Sequence, residues 1–262
     1  MSAPTLSTIL EQVRLEAEQR CRLHSPTDLK LRARRWNRRS LVESLQSISF
    51  GVIAEIKRAS PSAGLIRSDL DPAALACAYV KAGARGISVL TCGPYFQGSL
   101  EDLECVRQRC SSPVLCKDFL LSSFQILEAA AAGADVVLLI AAALSDAELH
   151  ELSKAAHDQR MEVLFEAHTA EELERILRQR PRLLGVNSRN LGTMTMDPER
   201  ALSLGRRLPK DALGIFESGI KESADLLKAR AAGFRGALIG ESLLRNDRPE
   251  DALRELVLAL PP

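Results

Sequence analysis

Glu55 and Lys57 stand two residues apart in Val52-Ile53-Ala54-Glu55-Ile56-Lys57, a segment otherwise apolar and mostly β-branched. On a strand, that spacing sends both side chains to one face. A carboxylate and an ammonium on the same side of a buried strand are costly unless they are paired or used. The segment supports two readings: a structural ion pair, or an acid and a base delivered into a cavity. Ser60-Pro61-Ser62 then ends the strand and opens a polar loop.

The same ending recurs. Short apolar runs finish in Lys117-Asp118-Phe119, in Glu166, in Asn187-Ser188-Arg189-Asn190, in Glu217-Ser218-Gly219 and in Gly240-Glu241-Ser242. One polar ending of this kind is commonly a satisfied structural group. Repetition on so many runs points instead to one shared site. Ser218-Gly219 and Gly240-Glu241-Ser242 add small residues ahead of helical patterns, where backbone N–H groups and the helix dipole favour an anion such as phosphate. Leu90-Thr91 and Ile140-Ala141 end two further runs and would form walls around an aromatic or sugar-like molecule.

These residues need a scaffold that gathers strand ends. Strands are expected at 52–57, 86–91, 113–117, 135–140, 161–166, 182–187, 212–217 and 235–240, with helical patterns between them. Asp71-Pro72 and Asp197-Pro198 read as N-caps with Pro at the first helical position. Ser145-x-x-Glu148 and Thr169-x-x-Glu172 read as capping boxes. Gly83, Gly133 and Gly233 sit where helices should stop. Eight such units describe an α/β fold, a single (β/α)8 TIM barrel over residues 1–262, with 1–48 as a helical N-terminal extension. An open doubly wound sheet is the alternative, but no GxGxxG or Walker A loop follows any strand. In a barrel, function collects at the C-terminal strand ends, where the polar residues lie.

Composition narrows the partners. A formal net charge of +1 argues against a global nucleic-acid or membrane role. No apolar run approaches the roughly 20 residues that span a bilayer, and the N-terminus has no apolar signal region. The six cysteines lack zinc or CxxC spacing and read as reduced thiols of a cytoplasmic protein. Arg32, Arg34, Arg35, Arg38 and Arg39 surround Trp36. This run reads as a solvated helix face or a basic rim, with a nucleic-acid arm as the less favoured alternative.

Ile53 to Ser62 resembles the signature of the indole-3-glycerol phosphate synthase family. The similarity continues through Ser88-Val89-Leu90-Thr91, Tyr95 to Ser99, Cys116 to Phe119, Asn187 to Leu191, Glu217 to Ile220 and Leu238 to Leu243. The chain departs from the family at Cys92-Gly93-Pro94, Cys116, Ser122 and Ala63. The resemblance implies a carboxy-lyase of tryptophan biosynthesis, acting on a small phosphorylated molecule without metal or organic cofactor, as a monomer or weak homo-oligomer. It implies Lys117 as general acid and Glu166 as base in dehydration. Lys57 would be a carboxylate partner or second acid, and Glu55 and Glu217 would orient and charge-balance the lysines. Asn187 would bind hydroxyls, Arg189 would hold the substrate carboxylate, and Phe96 and Phe119 would sandwich its ring. Ser60, Ser218, Gly219, Gly240 and Ser242 would hold phosphate. Burial and neighbouring cations are expected to bring the Lys117 pKa toward working pH. The rivals are a phosphosugar isomerase or aldolase on the same scaffold, and a non-catalytic phosphate-binding barrel.

Overall fold

Apolar runs buried on both faces can be satisfied only by a parallel sheet covered with helices. The computed structural model describes residues 4–192 and 194–260, and that is the arrangement it has. Strands β1 (Gly51–Ile56), β2 (Gly86–Leu90), β3 (Val114–Lys117), β4 (Val136–Ile140), β5 (Glu162–Ala167), β6 (Leu183–Asn187), β7 (Leu213–Glu217) and β8 (Gly236–Ile239) are all parallel. They close into a barrel because β1 pairs with both β2 and β8. Each strand agrees with the sequence expectation to within one residue at either end. A small antiparallel hairpin, Ala59–Ser60 with Gly64–Leu65, stands where only a polar loop was expected.

The helices start and stop as their cap residues direct. Helices α1 (Leu6–Leu23), α2 (Pro26–Ala33) and α3 (Leu41–Gln46) precede the barrel. Residues 1–3 of the expected extension lie outside the described residues. Helices α4 (Pro72–Lys81), α5 (Leu100–Arg109), α6 (Ser123–Ala132), α7 (Asp146–Asp158), α8 (Ala170–Leu177), α9 (Pro198–Gly205) and α10 (Ser223–Ala231) link the strands, and α11 (Glu241–Leu244) and α12 (Pro249–Leu258) follow β8. Asp71 accepts from the amides of Ala73 and Ala74, and Asp197 from that of Arg200. Ser145 and Glu148 form the full capping box. Thr169 and Glu172 do not. Thr169 Oγ1 accepts from the Glu172 amide, but the Glu172 carboxylate turns to the amide and ring of His168 instead.

The N-terminal extension clasps the barrel from end to end. Ile9, Leu10 and Val13 of α1 pack with Cys92, Phe119 and Ile140 near the C-terminal ends of the strands. Helix α2 lies against α6. Helix α3 closes the opposite end, where Leu41 and Leu45 fill the space that side chains on Gly86 and Gly51 would need. Its N-terminus is capped by Glu162 at the start of β5, which accepts from the amides of Leu41 and Val42 at 2.8 and 3.1 Å.

The arginine run corrects its sequence reading. Arg32, Arg34 and Arg35 are exposed, but Arg38 and Arg39 are not a solvated face. Arg38 donates to the carbonyls of Ala130, Ala134 and Gln159, and Arg39 to those of Cys110 and Ser112. Nor is the run a basic rim at a ligand, because the carbonyls of Ser112 and Ala134 lie beside the N-terminal ends of β3 and β4. Trp36 donates to Ala131 O and lies under the Arg107 guanidinium. Gly133 ends α6 in the left-handed region at φ 97°, and a Cβ there would collide with both Arg107 and Trp36.

Leu45 is completely buried at the plugged end. Leu45→Ala is expected to cost about 2–5 kcal/mol, measured as a lowered urea midpoint at unchanged m-value. A loss below about 0.5 kcal/mol, typical of a surface position, would mean that α3 does not seal the barrel.

Candidate active site

The C-terminal ends of the strands surround a cavity of about 490 Å³, the size of an ordinary small-molecule site. Every residue singled out from the sequence as catalytic or binding lines it. The register explains how they meet. Pairing sets Leu90 beside Lys117, Ile140 beside Glu166 and Asn187 beside Glu217, so the polar residues form one tier at the mouth.

Lys117 is the hub. Its Nζ lies 2.9 Å from Glu166 Oε2 and 3.0 Å from Glu217 Oε2. Glu166 Oε1 accepts from Asn187 Nδ2 at 3.2 Å and lies 3.1 Å from His168 Nε2. Glu55 and Lys57 do share a face, and their charged atoms pair at 2.6 Å within the cavity wall. Two glycines make room for this crowd. A Cβ on Gly185, in β6, would lie 2.0 Å from Glu217 Oε1. A Cβ on Gly240, just after β8, would lie 2.4 Å from Glu55 Oε1.

Electrostatics overturns one expectation. The neighbours of Lys117 are anions, not cations. Burial alone would lower its pKa, but Glu166, Glu217 and Glu55 outweigh burial and hold the ammonium above the ordinary lysine range. Burial pushes Glu166 upward, yet Lys117 and His168 overcome that and keep its carboxyl well below the usual range. Glu217 goes the other way. Burial pushes it up to about 8, against the pull of Lys117 and with the push of Glu166. The two carboxyl groups at Lys117 are thus shifted in opposite directions, Glu166 down and Glu217 up.

The anion-binding elements differ from expectation in detail. Ser218 and Gly219 form a turn at φ 66° and 83°, held by Ser188 Oγ donating to Ser218 O at 2.9 Å. Helix α10 begins four residues after Gly219 and is capped by its own Glu222 and Asp225, so the turn, not that helix terminus, faces the cavity. After β8, Gly240 caps α11 without a side-chain hydrogen bond. Ser242 Oγ is buried there and has no partner among the described residues. Ser60 Oγ accepts from the Ala63 amide in the first loop.

Phe96 and Phe119 stand 6.2 Å apart at 48°. They meet each other as one tilted wall, not as two parallel plates around a ring. Arg189 Nη2 lies 3.8 Å from Glu241, a loose pairing that leaves it able to meet a ligand carboxylate. Sequence reasoning missed Leu6 and Ile9 of α1, which cover the cavity, and Leu191, Met194 and Met196 beside it. It also missed His168 and the spacing role of Gly185. Leu6, Ile9, Leu10 and Val13 are spaced along one helical face, but that spacing does not say what the face covers.

Fold and site define an enzyme: a (β/α)8 barrel with a buried lysine–carboxylate cluster at its C-terminal mouth. Solved structures of a thiamine phosphate pyrophosphorylase from Pyrococcus furiosus and of KGPDC from Streptococcus mutans share the fold alone. Their TM-scores are 0.61 and 0.65 at 14% and 15% identity, covering 84% and 81% of this chain and 97% of each of theirs. The family model for indole-3-glycerol phosphate synthase matches residues 6–256, and this chain belongs to that family. Indole-3-glycerol phosphate synthase of Mycolicibacterium gilvum is 44% identical over 259 residues, spanning 98% of this chain and 95% of its own. That of Koribacter versatilis is 45% identical over 242 residues, spanning 92% and 90%.

Burial, then Glu166, push the Glu217 carboxyl up to about 8, against the pull of Lys117. Infrared difference spectra between wild type and Glu217→Gln should contain a protonated-carboxyl band at pH 6.5 that disappears by pH 9.5. A band already absent at pH 6.5 would mean that Glu217 shares the charge balance of Lys117.

Proposed function

We propose that this chain converts 1-(2-carboxyphenylamino)-1-deoxyribulose 5-phosphate to indole-3-glycerol phosphate, CO2 and water. The observation that carries the reading is the Lys117 ammonium, held by carboxylates from two other strands and facing the same cavity as the Ser218-Gly219 turn. The whole chain acts as one barrel, with residues 1–48 as its clasp and cover.

The ring carbon bearing the carboxylate attacks the ketone carbon. Lys117 donates to the ketone oxygen and gives it a proton as it becomes an alkoxide. An ammonium with a raised pKa can do this because the alkoxide binds protons far more tightly than an amine. Loss of CO2 restores aromaticity. The hydroxyl then leaves as water, and Glu166, kept ionised, takes the proton released as the indole forms. Lys57, close to Glu55, meets the substrate carboxylate or supplies the departing hydroxyl with a proton. Asn187 holds the substrate hydroxyls, and Arg189 takes the carboxylate in bidentate fashion. Phe96 and Phe119 form the wall against the aromatic ring. Ser60, the Ser218-Gly219 turn, Gly240 and Ser242 take the phosphate. No metal, organic cofactor or nucleic acid has a part in these steps, and the protein works as a monomer or weak homo-oligomer. A Schiff-base aldolase is disfavoured, since its lysine needs a depressed pKa and Lys117 has the reverse.

The test is incubation with the anthranilate-ribulose phosphate followed by indole fluorescence. No product at micromolar enzyme would end the reading. Lys117→Met should lower kcat by about 10²–10⁴ with a smaller change in KM. An unaffected kcat would transfer the acid role to Lys57. Glu166→Gln should still release CO2, and in a single turnover CO2 should outrun indole. Equal loss of both products would place Glu166 in the first step. Ser218→Asp sets a negative charge against the phosphate, so KM should rise strongly; an unchanged KM would put the phosphate elsewhere.

A further inference from the structure

Behind Glu166, away from the cavity, lies a buried chain of charge that the reaction above does not use. His168 is only 2% exposed. Its Nδ1 meets Glu172 Oε2 at 3.0 Å, and its Nε2 lies 3.1 Å from Glu166 Oε1. Glu172 is itself fixed, because the same oxygen accepts the His168 amide at 2.7 Å. This contact is what takes the Glu172 carboxylate away from the capping box its spacing suggests. Nδ1 hydrogen-bonds Glu172, and Nε2 has no hydrogen-bond partner among the described residues but faces Glu166 Oε1 at ion-pair distance, so neither nitrogen has a donor to accept from.

We propose that His168 is a positioning residue for the cavity's base, a cation strung between Glu172 and Glu166 that fixes the Glu166 carboxylate in place and stabilises its charge. The inference rests on Glu166 being the base. Burial lowers the imidazolium, but Glu166 and Glu172 outweigh it and push its pKa up to about 9. The charged groups set against the ring are Glu166 and Glu172. Arg175, on α8 with Glu172, binds Asp146 and the carbonyls of Ala141 and Leu144. Lys117 of β3 reaches Glu166 from the cavity side, on the other carboxylate oxygen. The two cations thus hold one oxygen each, and Asn187 adds a neutral donor to the histidine side.

The first test needs no activity. In the ¹⁵N spectrum of the full chain, the His168 ring should be doubly protonated at pH 7 and lose a proton near pH 9. A neutral ring at pH 7 overturns the proposal. In His168→Gln, the Glu166 carboxyl carbon should titrate about 1–2 pH units higher, the shift expected on losing one adjacent charge. No shift also overturns it. If the enzymatic reading holds, the acidic limb that Glu166 sets in the kcat/KM profile should move up by the same shift of about 1–2 pH units in His168→Gln and in Glu172→Gln, with KM nearly unchanged. A uniform loss with an unmoved acidic limb would reduce His168 to a packing residue and overturn its positioning role. If wild type makes no indole product, the reaction assignment falls while the two resonance titrations still decide the bridge. Should His168→Gln fail to fold, the wild-type ring spectrum decides alone.

Discussion

The contact on which the site depends is the buried Lys117 ammonium between Glu166 and Glu217. Burying a charge is tolerable only when partners replace the water it loses. Here the partners come from β5 and β7, so no local segment could supply them. Barrel closure and the strand register set all three residues in one tier. The cost of assembling them falls on the backbone. Gly185 must lack a side chain for the Glu217 carboxylate to fit, and Gly240 for that of Glu55. The site is therefore specified as much by absent side chains as by charged ones.

The two ends of the barrel use polar residues in opposite ways. At the N-terminal end, Asp135 accepts the amides of Arg39 and Val114, Glu162 caps α3, and Arg38 and Arg39 satisfy carbonyls around the ends of α5, α6 and α7. Those charges meet backbone groups that would otherwise be buried unpaired, and they are spent on architecture. At the mouth, charges meet other charges across an open cavity. Ser242 Oγ, without a partner among the described residues, and the loosely paired Arg189 are two of the groups there open to a ligand. This division matches the general separation of stability and function in such barrels.

The strands were legible because a buried parallel strand is an apolar run with abrupt polar ends, and both ends are local facts. The site was legible for the same reason: a Glu or Lys inside an apolar run contradicts its surroundings. What could not be read depends on distance through space. His168 follows Ala167 at the end of β5 and looks like the start of a loop; only the fold sets it between two carboxylates. Glu172 has ideal capping-box spacing, and His168, four residues before it, wins its carboxylate. Arg38 and Arg39 look like surface residues in a basic run, because nothing local announces the carbonyls they reach. The raised pKa of Lys117 was unreadable for a related reason. Its sign follows from which charges approach from other strands.

Charge arithmetic along this line explains the raised pKa of Glu217. Lys117 and His168 are cations, and Glu166 and Glu172 are anions, so the row from the cavity to α8 is balanced without a further charge. Ionising Glu217 would put a further anion in a buried place beside Glu166, so burial first, and then that neighbour, raise its pKa. The balance has a consequence at the mouth. A substrate with a phosphate and a carboxylate brings several negative charges, and the inner cluster has no spare positive charge to offer them. The cations left to meet them stand at the rim: Lys57, Arg189, Lys221 and Arg245 all line the cavity. Two of them, Arg189 and Arg245, share the Glu241 carboxylate, so an arriving anion competes there with one half-buried glutamate, outside the Lys117–Glu166 contact. Under the proposed function, recognition and chemistry would thereby fall to separate sets of charges, and a substrate could bind at the rim while the Lys117–Glu166 contact stays in place.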